Sequence, residues 1–341
     1  MACATRSTRA WPGSSRSEAG QRVITFLIRR IISGLIVLWI ISMLVFALFF
    51  AIPNNVARRM AGRNATPETV NLIAERLHLN DPIWVQYKNY MLNALQGDFG
   101  TDYYYQLPVT QVIKEALPVT ASLALGAAII WLVLGVVAGV ISAIRPRTLA
   151  DRSITVLAII FFSVPSFVLG LTLLYFFYFR LTLAGFEWFP PGGYVPLSEG
   201  IGPWVQHLIL PWITLAMISA ATYSRLTRGS MLETLSEDYI KTARAKGISE
   251  RRVTYQHALR SALTPIVTQF GIDLGTLLGG AIITEQVFSL EGLGRTSIEA
   301  IRNQDLPIVM GIVLLASAFV VVANIVVDFV YALLDPRVRL S

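Results

Sequence analysis

Long apolar runs separated by shorter polar intervals dominate the pattern of this chain. A helix needs about 20 consecutive, mostly apolar residues to cross the hydrocarbon core of a bilayer. Six runs reach that length, at roughly residues 26–52, 119–143, 154–179, 204–226, 262–284 and 308–333. Pro211 interrupts the fourth run, but a spanning helix tolerates proline when neighbouring groups re-satisfy the freed carbonyl. The pattern predicts an all-α polytopic membrane protein with six transmembrane helices.

The longest polar interval, residues 53–118, lies between the first and second runs. Thr66 precedes Pro67 and an amphipathic stretch. A threonine at the N-cap followed by proline at the first helical position is typical of a helix start. Asp81 and Pro82 repeat this arrangement ahead of a second short helix. The interval therefore predicts a small helical insertion between the first two transmembrane helices.

The Lys and Arg residues are distributed unevenly over the polar intervals. If the N-terminus is inside the cell, 19 of the 28 fall on inner segments and 9 on outer segments. Because loops rich in Lys and Arg stay on the cytoplasmic side, both termini are predicted to be cytoplasmic and the 53–118 insertion extracytoplasmic. The basic residues cluster on the inner loops, so nucleic-acid binding is disfavoured as the reason for the positive charge.

Residues 1–22 are rich in Arg, Ser, Ala and Gly, which predicts a disordered cytoplasmic extension. The run behind it is too long for the apolar region of a signal peptide, so no cleavage is expected. Cys3 is the only cysteine, and no His/Cys cluster suggests a metal site. The sequence has no GxxxxGK[ST] phosphate loop. These observations predict no cofactor, no metal and no catalytic residue, and they disfavour an enzyme.

Residues 236–260 form a polar interval between the fourth and fifth runs, and its second part carries six Lys and Arg residues. Asp238 or Ser236 can cap a short helix that continues to Lys246. Gly247 can then adopt the left-handed conformation that ends this helix. The interval therefore predicts a short helix on the inner face, followed by a sharp turn.

Two interpretations of this short helix remain open at the level of composition. Anionic lipid headgroups could hold a basic helix at the membrane surface. Alternatively, the helix docks on another protein, since the small side chains of Ala243 and Ala245 would let a foreign backbone come close. Ser249 can cap a second helix that leads back into the membrane.

The same interval resembles the inner-membrane permease subunits of ABC importers. The general motif of that family matches here only at Ala243, Gly247 and Leu259. The oligopeptide/dipeptide branch matches better. Its version, close to Asp-Tyr-x-x-Thr-Ala-Arg-Ala-Lys-Gly, then His-Ala-Leu, then Pro, is present within residues 238–265. Further segments similar to the first, or B-type, permease of that branch are Phe26-Leu27-Ile28-Arg29-Arg30, Gly97-Asp98-Phe99-Gly100, Gly279-Gly280-Ala281, Glu285-x-x-Phe288, Gly292-Leu293-Gly294 and Leu334-Asp335-Pro336-Arg337-Val338-Arg339.

The resemblance covers residues 23–341 and implies the type I ABC importer permease fold, in a prokaryotic cytoplasmic (inner) membrane. In this family the short helix docks in a groove of a cytoplasmic ATPase and transmits the closure of two ATPase subunits to the membrane helices. The coupling residues implied here are Asp238, Tyr239, Thr242, Ala243, Arg244, Ala245, Lys246 and Gly247. The implied partners are a second permease subunit in a heterodimer, the two ATPase subunits, an extracytoplasmic solute-binding protein and membrane lipids.

Gly271, Gly275 and Gly279 recur every four residues along the fifth run, so one face of this helix lacks side chains and another helix can pack closely there. Close packing is one interpretation of this stripe; contact with a partner permease or with the solute path is the other. Gly135 and Gly139 repeat the spacing once on the second run.

Asp273 and Asp328 are the acidic residues within the runs. A charge at mid-bilayer costs about 2.5–3.5 kcal/mol on insertion scales, so each should face protein or water and find a partner. Asp273 is expected either to line the cavity and attract the amino terminus of a peptide, or to be a buried hydrogen-bonding group. Glu285, at the outer end of the fifth run, is a candidate gate or docking residue.

The branch that the chain resembles implies di- or oligopeptides as the solute. The same branch includes nickel and oligosaccharide permeases, although the runs hold no cluster of the His or Cys ligands that a metal would favour. A self-sufficient secondary transporter is a competing class, but it usually shows inverted repeats and paired broken helices, and neither is detectable. A membrane scaffold or enzyme would not need the short helix at residues 238–247.

Overall fold

The fold was analysed in a computed structural model, and the structure describes residues 16–51, 56–62, 65–76, 80–278 and 281–334. Within these ranges the regular structure is helical, with one isolated antiparallel bridge between Thr101 and Pro108. The helices are α1 (Arg16–Ala51), α2 (Val56–Ala61), α3 (Pro67–Arg76), α4 (Ile83–Leu95), α5 (Val109–Ile144), α6 (Leu149–Ser163), α7 (Ser166–Leu173), α8 (Leu181–Leu183), α9 (Ile201–Ser236), α10 (Asp238–Ala245), α11 (Glu250–Arg252), α12 (Leu259–Leu278), α13 (Ile282–Val287), α14 (Leu293–Asn303) and α15 (Leu306–Leu334).

Five segments of the described chain are helical, long and apolar enough to cross a membrane. They are Ile28–Leu48, Val109–Ile144, Ser166–Leu183, Ile201–Ser236 and Leu306–Val326. The first, second, fourth and sixth predicted runs fall on these helices. The fifth run, residues 262–284, is divided between two helices. It falls on α12, which ends at Leu278 and is not among these five segments, and on the start of α13, while Ala281 ahead of α13 is not helical. The helical character of residues 262–278 is confirmed, the predicted bounds were wrong, and the span of the membrane stays a prediction.

The third predicted run, residues 154–179, is not one helix. Pro165 has no amide hydrogen to donate and disfavours the helical conformation at the residue before it. Val164 is accordingly extended, with φ −85° and ψ 125°, and α6 ends one residue earlier. The apolar segment that continues from Ser166 passes through α7, a π-helical turn and α8 to Leu183. The predicted bounds of this span were therefore wrong.

The centre of the fold is the close pairing of α5 with α9. A Cβ atom added at Gly135 would overlap the Tyr223 side chain, and one at Gly139 would overlap Thr227. The glycines of α5 thus allow α9 to approach its backbone. Trp131 lies fully buried in the same interface, with its ring centroid 6.2 Å from that of Tyr223. Helices α12 and α15 complete the bundle around this pair.

The insertion between the first two spans is helical, as predicted, but residues 109–118 of the predicted interval belong to α5, so its predicted end was wrong. The Thr69 amide donates to Thr66 Oγ1 at 3.3 Å, which confirms the predicted cap of α3. Asp81 does not cap α4, because Pro82 itself occupies the N-cap position and no side chain caps the helix. The Tyr87 hydroxyl, 2.7 Å from Ser42 Oγ, attaches α4 to α1.

The N-terminal segment differs in part from its prediction. Helix α1 begins at Arg16, so residues 16–22 are helical although no regular structure was expected for them. Extending an existing helix by one residue fixes one residue for one hydrogen bond and avoids the cost of nucleation. Residues 1–15, the rest of the predicted extension, lie outside the described residues.

Candidate functional site

Helix α10 begins directly after α9. The predicted capping residues were Asp238 or Ser236, but Glu237 occupies the N-cap position, with φ −66° and ψ 149°, and no side chain caps the helix. The C-terminal end follows the prediction. Gly247 has φ +76°, its amide donates to the Arg244 carbonyl at 2.9 Å, and a left-handed residue here turns the chain back towards the bundle.

One face of α10 is packed against the bundle. Ile240 is fully buried and Ala243 is 8% exposed, and residues three apart lie on the same helical face. Together with the neighbouring helices they form an apolar cluster of Val140, Ala143, Met231, Ile240, Ala243, Val253, Ala258 and Ala262. The prediction that Ala243 presents a small side chain to another protein was therefore wrong, because this alanine allows α10 to approach its own bundle.

The opposite face of α10 is polar and exposed. It carries Tyr239, Lys241, Thr242, Arg244, Ala245 and Lys246. Lys241 Nζ lies 2.9 Å from Asp238 Oδ1, and Arg244 Nε lies 2.8 Å from Glu250 Oε1. Exposed ion pairs contribute little to stability, about 0.2–1 kcal/mol, so these contacts chiefly orient the side chains. The exposed face can thus meet a partner without unfolding the helix.

A basic groove lies beside this face. It is lined by Ser249, Arg251, Arg252, Tyr255 and Gln256. Ser249 stands at the N-cap of α11 as predicted, but its side chain makes no capping bond. The Arg244–Glu250 ion pair connects the exposed face of α10 to α11, which supplies Arg251 and Arg252 to this groove.

Glu285 is fully enclosed. Its Oε1 accepts from Thr120 Oγ1 at 2.8 Å, and its Oε2 accepts from the Arg295 amide at 2.7 Å. The carboxylate therefore joins α13 to α5 and α14. Because the side chain is 0% exposed, it makes no direct surface contact in this conformation. A role as a gate stays a prediction.

Asp273 finds its partners within the chain. Its carboxylate accepts from the Tyr223 hydroxyl at 2.8 Å and from Gln269 Nε2 at 2.8 Å. These bonds satisfy the acidic group, as the second interpretation of this residue requires, while the side chain stays half-buried. The side chain of Asp328 lies outside the described residues.

Gly275, the middle glycine of the α12 stripe, packs against another helix of the same chain. A Cβ atom at Gly275 would lie 3.2 Å from the Ala323 side chain and 3.3 Å from the Val320 backbone, both on α15. Gly271 is buried as well, and Gly279 lies outside the described residues. Close packing within the chain therefore accounts for Gly275, and contact with a partner permease stays a prediction.

A partly buried ion pair was not predicted from the sequence. Asp151 Oδ1 lies 2.9 Å from Arg228 Nε. Hydrogen bonds from Arg228, from the Ser142 hydroxyl and from the Arg147 amide lower the pKa of the Asp151 carboxyl. An acidic residue at the edge of an apolar run was the available signal, but the partner lies 77 positions away and no local spacing connects the two.

A pair of buried carboxyl groups was also missed. Asp102 and Asp305 are each 2% exposed, and the Tyr103 amide donates to Asp305 Oδ2 at 2.9 Å. Burial, together with the adjacent Asp102, raises the pKa of Asp305 to about 7. Burial acts to raise the pKa of Asp102 too, but the adjacent Asp305 and hydrogen bonds from the Tyr104 and Tyr105 amides lower it on balance.

Comparison with known proteins covers nearly the whole chain. Residues 135–340 match the model of the "Binding-protein-dependent transport system inner membrane component" family. Residues 23–124 match the model of its N-terminal component.

Several curated relatives share this similarity. A probable peptide ABC transporter permease protein of Sinorhizobium fredii is 39% identical over 92% of this chain and 99% of its own. A putative peptide transport system permease protein of Brucella abortus is 39% identical over 92% and 98%. The glutathione transport system permease protein of Escherichia coli is 36% identical over 93% and 99%.

A solved structure supports the same fold. An inward-facing form of the MetNI methionine ABC transporter matches with a TM-score of 0.51 and 19% identity, over 66% of this chain and 97% of that one. At this identity the likeness shows the fold alone. The two family models and the curated relatives establish that the chain belongs to the binding-protein-dependent transport system inner membrane components, the multi-pass permease subunits of ABC transporters.

Proposed function

We propose that this chain is the permease subunit of an ATP-driven importer of di- or oligopeptides. The observation that carries the proposal is α10, an amphipathic helix with one face packed on the bundle and the other exposed. Relatives that match over more than nine-tenths of their length are named as peptide and glutathione permeases, which supports a peptide-type solute.

Helix α10 transmits movement between an ATPase subunit and the membrane helices. Asp238, Tyr239, Thr242, Arg244, Ala245 and Lys246 contact a cytoplasmic ATPase subunit with the exposed face. Ala243 and Gly247 act differently. Ala243 packs the helix against the bundle, and Gly247 fixes the turn that follows the helix. Ile240 and Ala243 belong to the apolar cluster that also holds residues of α5 and α9, and α10 contacts α9 directly. A displacement of α10 is therefore transmitted to membrane helices.

The end of the bundle that carries α10 faces the cytoplasm, and both termini lie on the same side. The distribution of Lys and Arg supports this orientation. The chain does no chemistry of its own, and ATP is hydrolysed on the partner subunits. A second permease subunit, two ATPase subunits and an extracytoplasmic solute-binding protein complete the complex, and lipids surround the exposed apolar side chains.

Asp273 and the glycine stripe of α12 line or support the half of the pathway that this chain supplies. Asp273 has hydrogen-bond partners on α9 and α12 and is half-buried, so it can hold a fixed negative charge beside a passage. Glu285 holds the outer ends of α5, α13 and α14 together, where a gate would form.

Purification and uptake test this function together. The tagged chain, co-expressed with its transport partners, is expected to retain a second permease and ATPase subunits on the column. Proteoliposomes with the matching binding protein are expected to take up peptides in an ATP-dependent manner, and to ignore nickel and oligosaccharides. Uptake of nickel or an oligosaccharide in place of peptides would overturn the proposed solute, and ATP-independent uptake would overturn the mechanism.

A further inference from the structure

Asp151 connects three helices at the end of the bundle that carries α10. Its carboxylate accepts from both Nε and Nη2 of Arg228 on α9, at 2.9 and 3.2 Å. It also accepts from the Ser142 hydroxyl on α5 and from the Arg147 amide in the turn that follows, at 2.8 Å. A bidentate pair fixes orientation as well as distance, and the Asp151 side chain is only 7% exposed.

The helical turns that hold Asp151 also hold α10. Ser142 is directly followed by Ala143, which packs in the apolar cluster with Ile240. On α9, Met231 lies one turn beyond Arg228 and belongs to the same cluster. The Asp151 contacts and the apolar cluster that holds α10 therefore involve the same short stretches of α5 and α9.

Helix α6 lies along α9 and also contacts α5. Asp151 and Ala158 are its only buried residues, and Ile154 and Phe161, at helical spacing on the same face, are half-buried. Near the other end of α6, the guanidinium carbon of Arg225 lies 4.5 Å from the centroid of the Phe162 ring. The placement of α6 on α9 thus combines apolar packing along one face with the Asp151 contacts near one end and a cation–π contact near the other, and the bidentate pair has a defined geometry.

We propose that Asp151 is a positioning residue for coupling, which fastens α6 to α5 and α9 so that α6 moves as one body with α10. The inference rests on the proposed function, because it concerns the displacement of α10 by ATPase subunits. It adds a second transmission route: α10 acts on α5 and α9 through apolar packing, and Asp151 passes this motion to α6 and on to the span that follows Pro165.

Asp151→Asn tests the route, since asparagine keeps the size and one acceptor oxygen but loses the charge. In the reconstituted full complex, the number of solute molecules transported per ATP hydrolysed is expected to fall at least about five-fold, the lower end of typical coupling between sites. The ATPase subunits are expected to co-purify as before. Arg152→Gln, which removes an exposed charge from the adjacent position, is the matched control and should leave the ratio unchanged.

A second variant keeps the test informative if Asp151→Asn fails to fold. Arg228→Lys keeps the positive charge but cannot pair bidentately, and the same ratio is expected to fall in membrane-inserted protein. The double variant should be no worse than Asp151→Asn alone, because both act through one contact. Additive losses would contradict a shared route.

Spin labels supply a readout that a purely stabilising role would not change. With Cys3 replaced by alanine, labels at Ile159 on α6 and Glu237 at the start of α10 are expected to give one narrow distance, the same without nucleotide and with trapped ATP. In Asp151→Asn this distance should broaden or shift when ATP binds. An unchanged distance and an unchanged transport ratio in this variant would overturn the inference alone. A wild-type complex without ATPase subunits would overturn the proposed function, and the inference with it.

Discussion

Gly247 offers the most direct perturbation of the coupling helix. Its φ of +76° lies in the left-handed region, which costs a residue with a Cβ atom about 1–2 kcal/mol. A Cβ atom at this position would meet nothing within 4 Å, so backbone strain is the sole local cost of a substitution. That strain shifts the equilibrium between the formed and opened turn by a factor of about 5–30.

The three replacements Gly247→Asn, Gly247→Ala and Gly247→Val form a graded series. Asparagine tolerates the left-handed region and should couple nearly as the wild type does. Alanine should be impaired, and valine, which is β-branched, should be impaired most. The assay is solute transported per ATP hydrolysed in proteoliposomes, with membrane insertion measured alongside. Insertion is expected to stay intact, because the turn lies outside the spans.

Gly229→Val is the matched control for this series. Gly229 is an exposed glycine within α9 with open space around it and an ordinary helical φ, so the same side chain is added without left-handed strain. Coupling should survive this change, because valine has a slightly higher helix propensity than glycine. Equal transport ratios for Gly247→Val and Gly229→Val would refute the reasoning.

Three further predictions concern the packing and the buried acids. Ile240→Ala should cost about 2–5 kcal/mol of local packing free energy, as for other buried isoleucines. It should also weaken the retention of ATPase subunits in co-purification. Undiminished retention would contradict the packing of α10 on the bundle as described. The raised pKa of Asp305, about 7, means that the folded protein binds more protons than the unfolded chain between about pH 4 and 7. Stability from this group should therefore fall as pH rises through that window, and thermal unfolding of Asp305→Asn should lack this part of the slope. Asp273→Asn leaves an amide beside the Gln269 amide, so it should lower stability by about 1–3 kcal/mol; unchanged uptake of every solute would remove its pathway role.

Much of this fold could be predicted from the sequence because membrane insertion imposes a simple rule. Runs of apolar residues located α1, α5, α9 and α15, and Thr66 and Gly247 marked helix ends through local chemistry. These signals depend on residues that are close together in the sequence and on the contrast between water and lipid. One sequence is therefore enough to read them.

The wrong predictions share a physical cause, since each depended on contacts or backbone geometry that spacing does not encode. Pro165 divides an apolar run that hydropathy alone joins. Ala243 suggested close approach to a partner, but only the packing of α10 shows that its small side chain lies in an apolar cluster of the chain's own bundle. Asp81 was predicted to be the N-cap and Pro82 the first helical residue. In the structure Pro82 is the N-cap and the helix begins at Ile83.

The polar contacts between distant segments could not be predicted from the sequence for the same reason. Asp151 pairs with Arg228 across 77 positions, and Asp102 lies beside Asp305 across about two hundred. Each acid alone resembles an ordinary polar residue near a membrane boundary. Tertiary structure brings the partners together and changes their pKa values.

The central claim is that the exposed face of α10 contacts an ATPase subunit. A photo-crosslinking amino acid placed at Thr242, on that face, tests this directly in the assembled complex. The control position is Leu72 on α3, which is 63% exposed and belongs to the insertion predicted to lie on the outer side. We predict crosslinking from Thr242 to an ATPase subunit and none from Leu72. Crosslinking from Leu72 to the ATPase, or from Thr242 only to lipid, would contradict the account.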